Sequence, residues 1–266
     1  MSLSACRGSG APQTRRTLVL GLLAAAGAPW AWAAHARDSG AAAALLRAHL
    51  NGYADVLRGL QALVQLRPDL TRREFERTAS EMDLLRRHPG LIEVALVRHV
   101  PPDGREAFLQ AARTDVHLSG RVPVQFAIHP PLPEGAAYVL TCLWPSAGRD
   151  AALGFELHAA PALLQACERS GSTGELVASA PWSMRGETAP VQALVLAARD
   201  HRTAESGQEG RLVGAVLLVF SPAEVARALT HALGQPVSLA DGGADGAAGP
   251  QDALTVDWGT RRWRLQ

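Results

Sequence analysis

The sequence predicts an α+β fold, with one long N-terminal helix followed by short strands and helices arranged as a larger and a smaller part. Three observations predict it. Leu46, Leu50, Tyr53, Leu57, Leu60 and Val64 recur at alternating spacings of four and three, one face of a continuous helix. Beyond Leu91 the apolar runs are short, aliphatic and bounded by Gly, Pro and Ser/Thr turns, as strands are. Apolar residues make up 47% of the 266, enough to bury a core and to exclude disorder throughout.

The N-terminus reads as a targeting segment. Arg15 and Arg16 precede an apolar run over 17–36, leaving 1–16 as a cytoplasmic or signal n-region. As a cleaved signal, Ala31-Trp32-Ala33 fits the small-x-small rule, and the paired arginines resemble a twin-arginine export signal. As an anchor, the run approaches the ~20 apolar residues that span a bilayer, with arginines left inside and Trp30 and Trp32 at the far interface. Either reading delivers the remainder outside the cytoplasm, as a periplasmic domain on a single membrane anchor or as a secreted one. A disordered Ala-rich tail is the plain alternative.

The exported part is expected to occupy 41–266. The helix over 41–67 presents a seam that wants a partner, either a second copy, giving a homodimer, or the body of its own domain. Pro68 and Asp69 end it. Thr71 and Glu74 form a capping box for a second helix whose apolar stripe is Phe75, Ala79, Met82 and Leu85, stopped by His88-Pro89-Gly90. Strands are expected over 91–98, 122–128 and 137–144, with a helix from Asp103 between the first two. A strand over 153–157, a helix from Pro161 and a strand over 176–180 follow, then strands over 191–198 and 212–220. Ser221-Pro222-Ala223-Glu224 opens a helix running to about Leu233. Three short strands, 237–239, 254–258 and 262–265, make a smaller sheet around a Gly/Ala-rich loop, 241–250.

Composition excludes several chemistries. The net charge of +1 supplies no field for nucleic acid. There is no lysine anywhere, so Schiff-base catalysis and a phosphate-cradling P-loop are both out. No Gly-x-Ser-x-Gly elbow, His-Glu-x-x-His helix or Cys/His spacing is present, so no enzyme, metal or cofactor is expected. An exporting compartment permits a bridge between Cys142 and Cys167, and each also reads as a single buried cysteine.

One acid stands out. Glu156 lies within the apolar strand Leu153-Gly154-Phe155-Glu156-Leu157. It either faces solvent or accepts hydrogen bonds from a bound cationic or N–H-bearing ligand, since a buried charge must be paired. Tyr138, Trp144 and Trp182 can supply flat walls or plain core; Arg149 and Arg185 can bind an anion or stand solvated.

These elements and their order resemble a CHASE domain, the extracellular sensory module of cyclases and histidine kinases. Pro89-Gly90-Leu91, Val100 with Arg105 and Phe108, Phe126-Ala127-Ile128, Tyr138-Val139, the Leu153–Leu157 block with Pro161, Ala166 and Thr173-Gly174, and Gly214 through Phe220 carry the resemblance, over Ala41 to Leu265. It implies two PAS-like subdomains with antiparallel sheets, a ligand-binding part over about 71–198 and a membrane-proximal part over about 211–266. It places Glu156 where the cytokinin receptors hold their ligand with an acid, and Ala178 where a leucine lines the same pocket. Phe155, Tyr138 and Trp182 complete the expected ligand-binding set. Glu for Asp and Ala for Leu alter the pocket, so adenine-type cytokinins are not the expected ligand.

The function expected is small-molecule sensing by a membrane receptor. The chain carries no phospho-accepting histidine box and no cyclase signature, so its output is expected from a missing continuation or from a separate histidine kinase or cyclase. A stand-alone periplasmic binding or scaffold protein is the alternative.

Overall fold

The computed structural model describes residues 28–114, 126–131, 134–147, 149–202, 210–243 and 254–265. The chain divides into two compact units, Met1–Ala42 and Ala43–Gln266. Of the expected targeting segment, 17–27 lies outside the described residues; the described part of the first unit is helical from Ala28. Among the described residues no helix is long and apolar enough to cross a membrane.

Helix α1 runs Ala28–Leu66. In the second unit all six seam residues, Leu46, Leu50, Tyr53, Leu57, Leu60 and Val64, are completely buried. What they face is the domain's own sheet. The Tyr53 ring lies 5.4 Å from that of Phe220, and its hydroxyl donates to the Pro89 carbonyl. Gln61 Nε2 donates to Ala197 O at 2.6 Å, and Asn51 Oδ1 accepts from Trp258 Nε1 at 3.1 Å. Of the two partners the sequence left open, a second copy or the body of the same domain, the second is the one these leucines bury against. Each such burial stabilises by roughly 1.5–3 kcal/mol, which the domain keeps for itself.

Helix α2, Arg72–Glu81, begins on the capping box read from the sequence: Glu74 N donates to Thr71 Oγ1, and Thr71 N to Glu74 Oε2. Phe75 and Ala79 face inward. The stripe does not continue to Leu85. Asp83 adopts a left-handed conformation (φ 52°), so the short helix α3, Leu84–Arg87, restarts with a rotated face. Leu84 is buried and Leu85 is 47% exposed.

The main sheet holds β1 (Leu91–Val100), β2 (Ala137–Trp144), β3 (Val177–Ala178), β4 (Gln192–Asp200) and β5 (Arg211–Phe220), in the antiparallel order β2-β1-β5-β4-β3. Helices α4 (Arg105–Thr114) and α5 (Pro161–Thr173) accompany it. Alternation splits its side chains between two layers. Val97, Val139, Val195 and Leu217 point into a core closed by Ala166 and Cys167 of α5. Phe220 points the other way, toward α1. Strand β5 lies at the centre, and Gly214 makes that possible, because a Cβ there would stand 2.0 Å from Val97 O.

Helix α6, Pro222–Leu233, starts on the Ser221 cap as expected. The smaller sheet is β6 (Leu239–Asp241), β8 (Arg261–Leu265) and β7 (Leu254–Trp258), in that order and antiparallel. The expected division at 198/211 needs correction. Strand β5, assigned to a second part over 211–266, pairs with β4 from Gln192↔Phe220 to Asp200↔Arg211 and with β1 on its other side. A boundary there would cut the main sheet through its central hairpin.

Two expected strands are shorter than read. Only Val177–Ala178 of 176–180 pairs, and 153–157 reduces to two isolated bridges, Phe155 with His129 and Glu156 with Val139. Residues 122–125 and 244–250, read as strand and loop, lie outside the described residues. Cys142 and Cys167 are both buried, and no disulfide joins them.

Candidate functional site

The block Leu153–Leu157 is clipped between β2 and His129 rather than laid down as a strand. His129 N donates to Gly154 O and Glu156 N to His129 O, each at 2.9 Å; Gly154 N and Leu140 O, then Leu140 N and Phe155 O, close the other side. Gly154 is required, since φ is +84° and a Cβ would meet Ala127 O at 2.2 Å. The chain then turns at Leu157–Ala159, and Glu156 caps that turn.

Glu156 is consequently inside. Its side chain has no exposure, and the protein fills both oxygens. Oε1 accepts from Tyr138 N at 3.1 Å and meets His158 Nδ1 at 2.8 Å, while Oε2 accepts from His158 N at 2.9 Å. Alternation alone put this carboxylate on the face away from Leu153 and Leu157. The turn overrides it, and the one local signal was a histidine two residues downstream, within reach of a capping acid.

The structure brings four of the five expected ligand-binding residues to one core. Tyr138 belongs to it, Phe155 and Trp182 pack against it half-buried, and Glu156 bonds beneath Tyr138. Burial, reinforced by Cys167 and Glu168, pushes the Tyr138 phenol up to about 12. Ala178 is not with them. Its register partner is Leu194, whereas Val177 pairs with the core residue Val195, so Ala178 is on the opposite face. It meets the turn between β7 and β8, donating its N–H to Gly259 O at 2.6 Å. Arg149 is engaged as well, by Glu93 at 2.5 Å.

A cleft opens elsewhere, and sequence reading missed it. It encloses about 780 Å³ where the α1–α2 connection (Pro68–Arg73), the end of β1, helix α4 and the start of β5 meet. None of the five expected residues lines it. Phe108, edge-on to Phe126 at 5.8 Å, gives it an apolar wall. Its charged lining is mostly cationic: Arg72, Arg73, Arg98 and Arg211, with Asp69 the one acid there among the described residues.

These arginines differ in what holds them. Arg72 is buried and pairs with Glu76 at 2.7 Å. Arg98 donates to Pro68 O and, at 3.0 Å, to Leu70 O, which stitches the α1–α2 connection to β1. Burial lowers its pKa, with Cys142 and Asp69 acting weakly against that. Arg73 and Arg211 are exposed. His99, beside them, is pushed below its usual range by burial and by the Arg211 charge, and its ring sits edge-on to Tyr138 at 5.1 Å. The cluster was hard to see because its members come from four segments spread over 68–213. Among the described residues no group of three or more His, Cys, Asp or Glu side chains could hold a metal ion.

Comparison with known proteins fits this picture. No curated protein matches the chain. Among solved structures, the ligand-binding domain of the Pseudomonas aeruginosa PAO1 amino acid chemoreceptor PctC in complex with GABA is similar, at 12% identity over 86% of this chain and 94% of that one, with a TM-score of 0.44. The CHASE domain model matches residues 68–255, which take in every strand of the main sheet as well as the cleft. The resemblance read from the motifs is thereby borne out, and the chain belongs to the CHASE domain family of extracellular sensory domains.

Proposed function

We propose that this chain is the small-molecule-sensing domain of a membrane signal-transduction receptor and that its ligand enters the cleft bounded by Pro68–Arg73, the end of β1, α4 and the start of β5. The observation that carries the reading is the cleft itself. A solvent-reachable hollow of about 780 Å³, with one apolar wall and convergent polar groups, lies inside the region that matches a sensory family. Binding sites have this size and mixed lining. Its place also suits signalling, because Arg98 ties the connection between α1 and α2 to the sheet, and a ligand that engaged either side would bias their relation.

The five-stranded sheet with its helices supports a PAS-like ligand-binding part that extends to Phe220, and the three-stranded sheet a smaller membrane-proximal part. In this reading residues 17–36 anchor or export the domain to the periplasmic side, a histidine kinase or cyclase receives the signal, and the domain itself is non-catalytic. Glu156 and its neighbours hold the floor of the fold rather than the ligand.

A thermal-shift screen of the full chain against nitrogen bases, amino acids and carboxylates tests it, since a ligand that binds only the folded state raises stability by mass action. At least one class should raise the unfolding temperature in a concentration-dependent way, and Ala107→Trp, which fills the cleft from its exposed wall, should abolish the shift. A shift untouched by Ala107→Trp would remove the cleft from the site.

A further inference from the structure

Among the described residues that line the cleft, arginines outnumber acids. Of the four lining arginines, Arg72 has its carboxylate in Glu76, and Asp69 stands 3.4 Å from Arg67, outside the lining. Arg98 is held by two backbone carbonyls, with Asp69 as its acidic neighbour. The side chains of Arg73 and Arg211 make no hydrogen bond or ion pair with any described residue. Two exposed guanidinium groups and the half-buried one of Arg98, gathered on a concave surface, focus a positive field into the hollow. What answers such a field is a negative group.

The other wall sets a second requirement. Phe108 and Phe126 offer aromatic surface, joined by Val100, Ala112 and Leu212. An inorganic anion would leave that surface in water, and an apolar molecule alone would leave the arginines unmatched.

We infer that the cleft takes a small carboxylate bearing an apolar or aromatic group, its carboxylate on Arg73 and Arg211 and its apolar end on Phe108 and Phe126. The inference rests on the reading of this cleft as the ligand site. Guanidinium groups suit it because they meet a carboxylate with paired, charge-assisted hydrogen bonds. His99 also lines the cleft, held below its usual range by burial and by the Arg211 charge.

The test is calorimetric titration of the full chain with phenylacetate, phenylacetamide, phenethylamine and inorganic phosphate. Phenylacetate should bind, and the amide and amine, which keep the ring and lose the negative charge, should bind at least about tenfold more weakly. The double variant Arg73→Gln, Arg211→Gln changes two exposed side chains and should fold normally while losing at least about tenfold in phenylacetate affinity. Amide or amine binding as tight as phenylacetate, full affinity in the double variant, or no phenylacetate binding at all overturns the carboxylate assignment. Phosphate binding tighter than phenylacetate overturns the apolar half of it. If another class binds and Ala107→Trp abolishes that binding, the carboxylate is wrong and the cleft stands; if phenylacetate binds equally well to Ala107→Trp, the cleft itself is wrong.

Discussion

Two polar regions of this domain are built in opposite ways. Around Glu156 the acid has found its partners within the chain: a fully buried carboxylate takes two backbone N–H groups and an imidazole. Around the cleft, among the described residues, four arginines and one acid line an open hollow, and only Arg72 is salt-bridged to a carboxylate. The first arrangement is what a fold needs in order to bury a charge. The second leaves guanidinium groups open to a molecule from outside, as the proposed ligand site requires. A carboxylate that stands out in a sequence can therefore be structural, while dispersed arginines that attract no notice assemble on one cleft.

The comparison can be broken at either end. The largest effect is expected at Glu156. Glu156→Ala strips the acceptor from Tyr138 N and His158 N at once and should destabilise the domain by about 3 kcal/mol in urea unfolding. Glu156→Gln, which keeps one acceptor oxygen, should cost about 1–2 kcal/mol. Wild-type stability in Glu156→Ala would mean that the buried network is not a support. Leu57→Ala, in the seam of α1, should cost about 3 kcal/mol through the cavity it leaves and should not change the sedimentation behaviour. Dissociation of a dimer by that change would instead return the seam to an intermolecular role. Gly154→Ala should cost about 2 kcal/mol, because its positive φ and the approach to Ala127 O leave no room for a methyl group.

The smallest effect is a pH dependence. Burial is the first cause that lowers His49, His88 and His99 below 6.5; Arg87 and His49 add to it at His88, and Arg211 at His99. A histidine whose folded pKa is depressed takes its proton more readily when unfolded. Stability is therefore level above about 6.5 and falls as pH drops from there toward the folded values. The unfolding temperature should decline between pH 7 and pH 5. A His49→Gln, His88→Gln variant should show a shallower decline, and an unchanged slope would contradict the assignment.

Much of the fold was legible because local chemistry decided it. The Thr71–Glu74 box, the Ser221 cap, the seam of α1 and strand β2 follow from capping, periodicity and turn residues within one segment. The misreadings share a physical cause. Leu85 was lost to a single left-handed residue, Asp83, which rotates a helix face. Glu156 was lost to a turn that draws a strand-end acid inward. The place of β5 in the main sheet, the face taken by Ala178 and the cleft all depend on which distant segments meet, and spacing along the chain carries no record of that.

The most direct test of the account sets its two regions against each other in one binding measurement. A carboxylate found to bind the full chain is titrated calorimetrically into Ala107→Trp and into Glu156→Gln. Binding is expected to vanish in Ala107→Trp and to persist within about twofold in folded Glu156→Gln, because only the cleft touches the ligand. Binding that survives in Ala107→Trp and is lost in a folded Glu156→Gln would contradict the account and return the ligand to the acid.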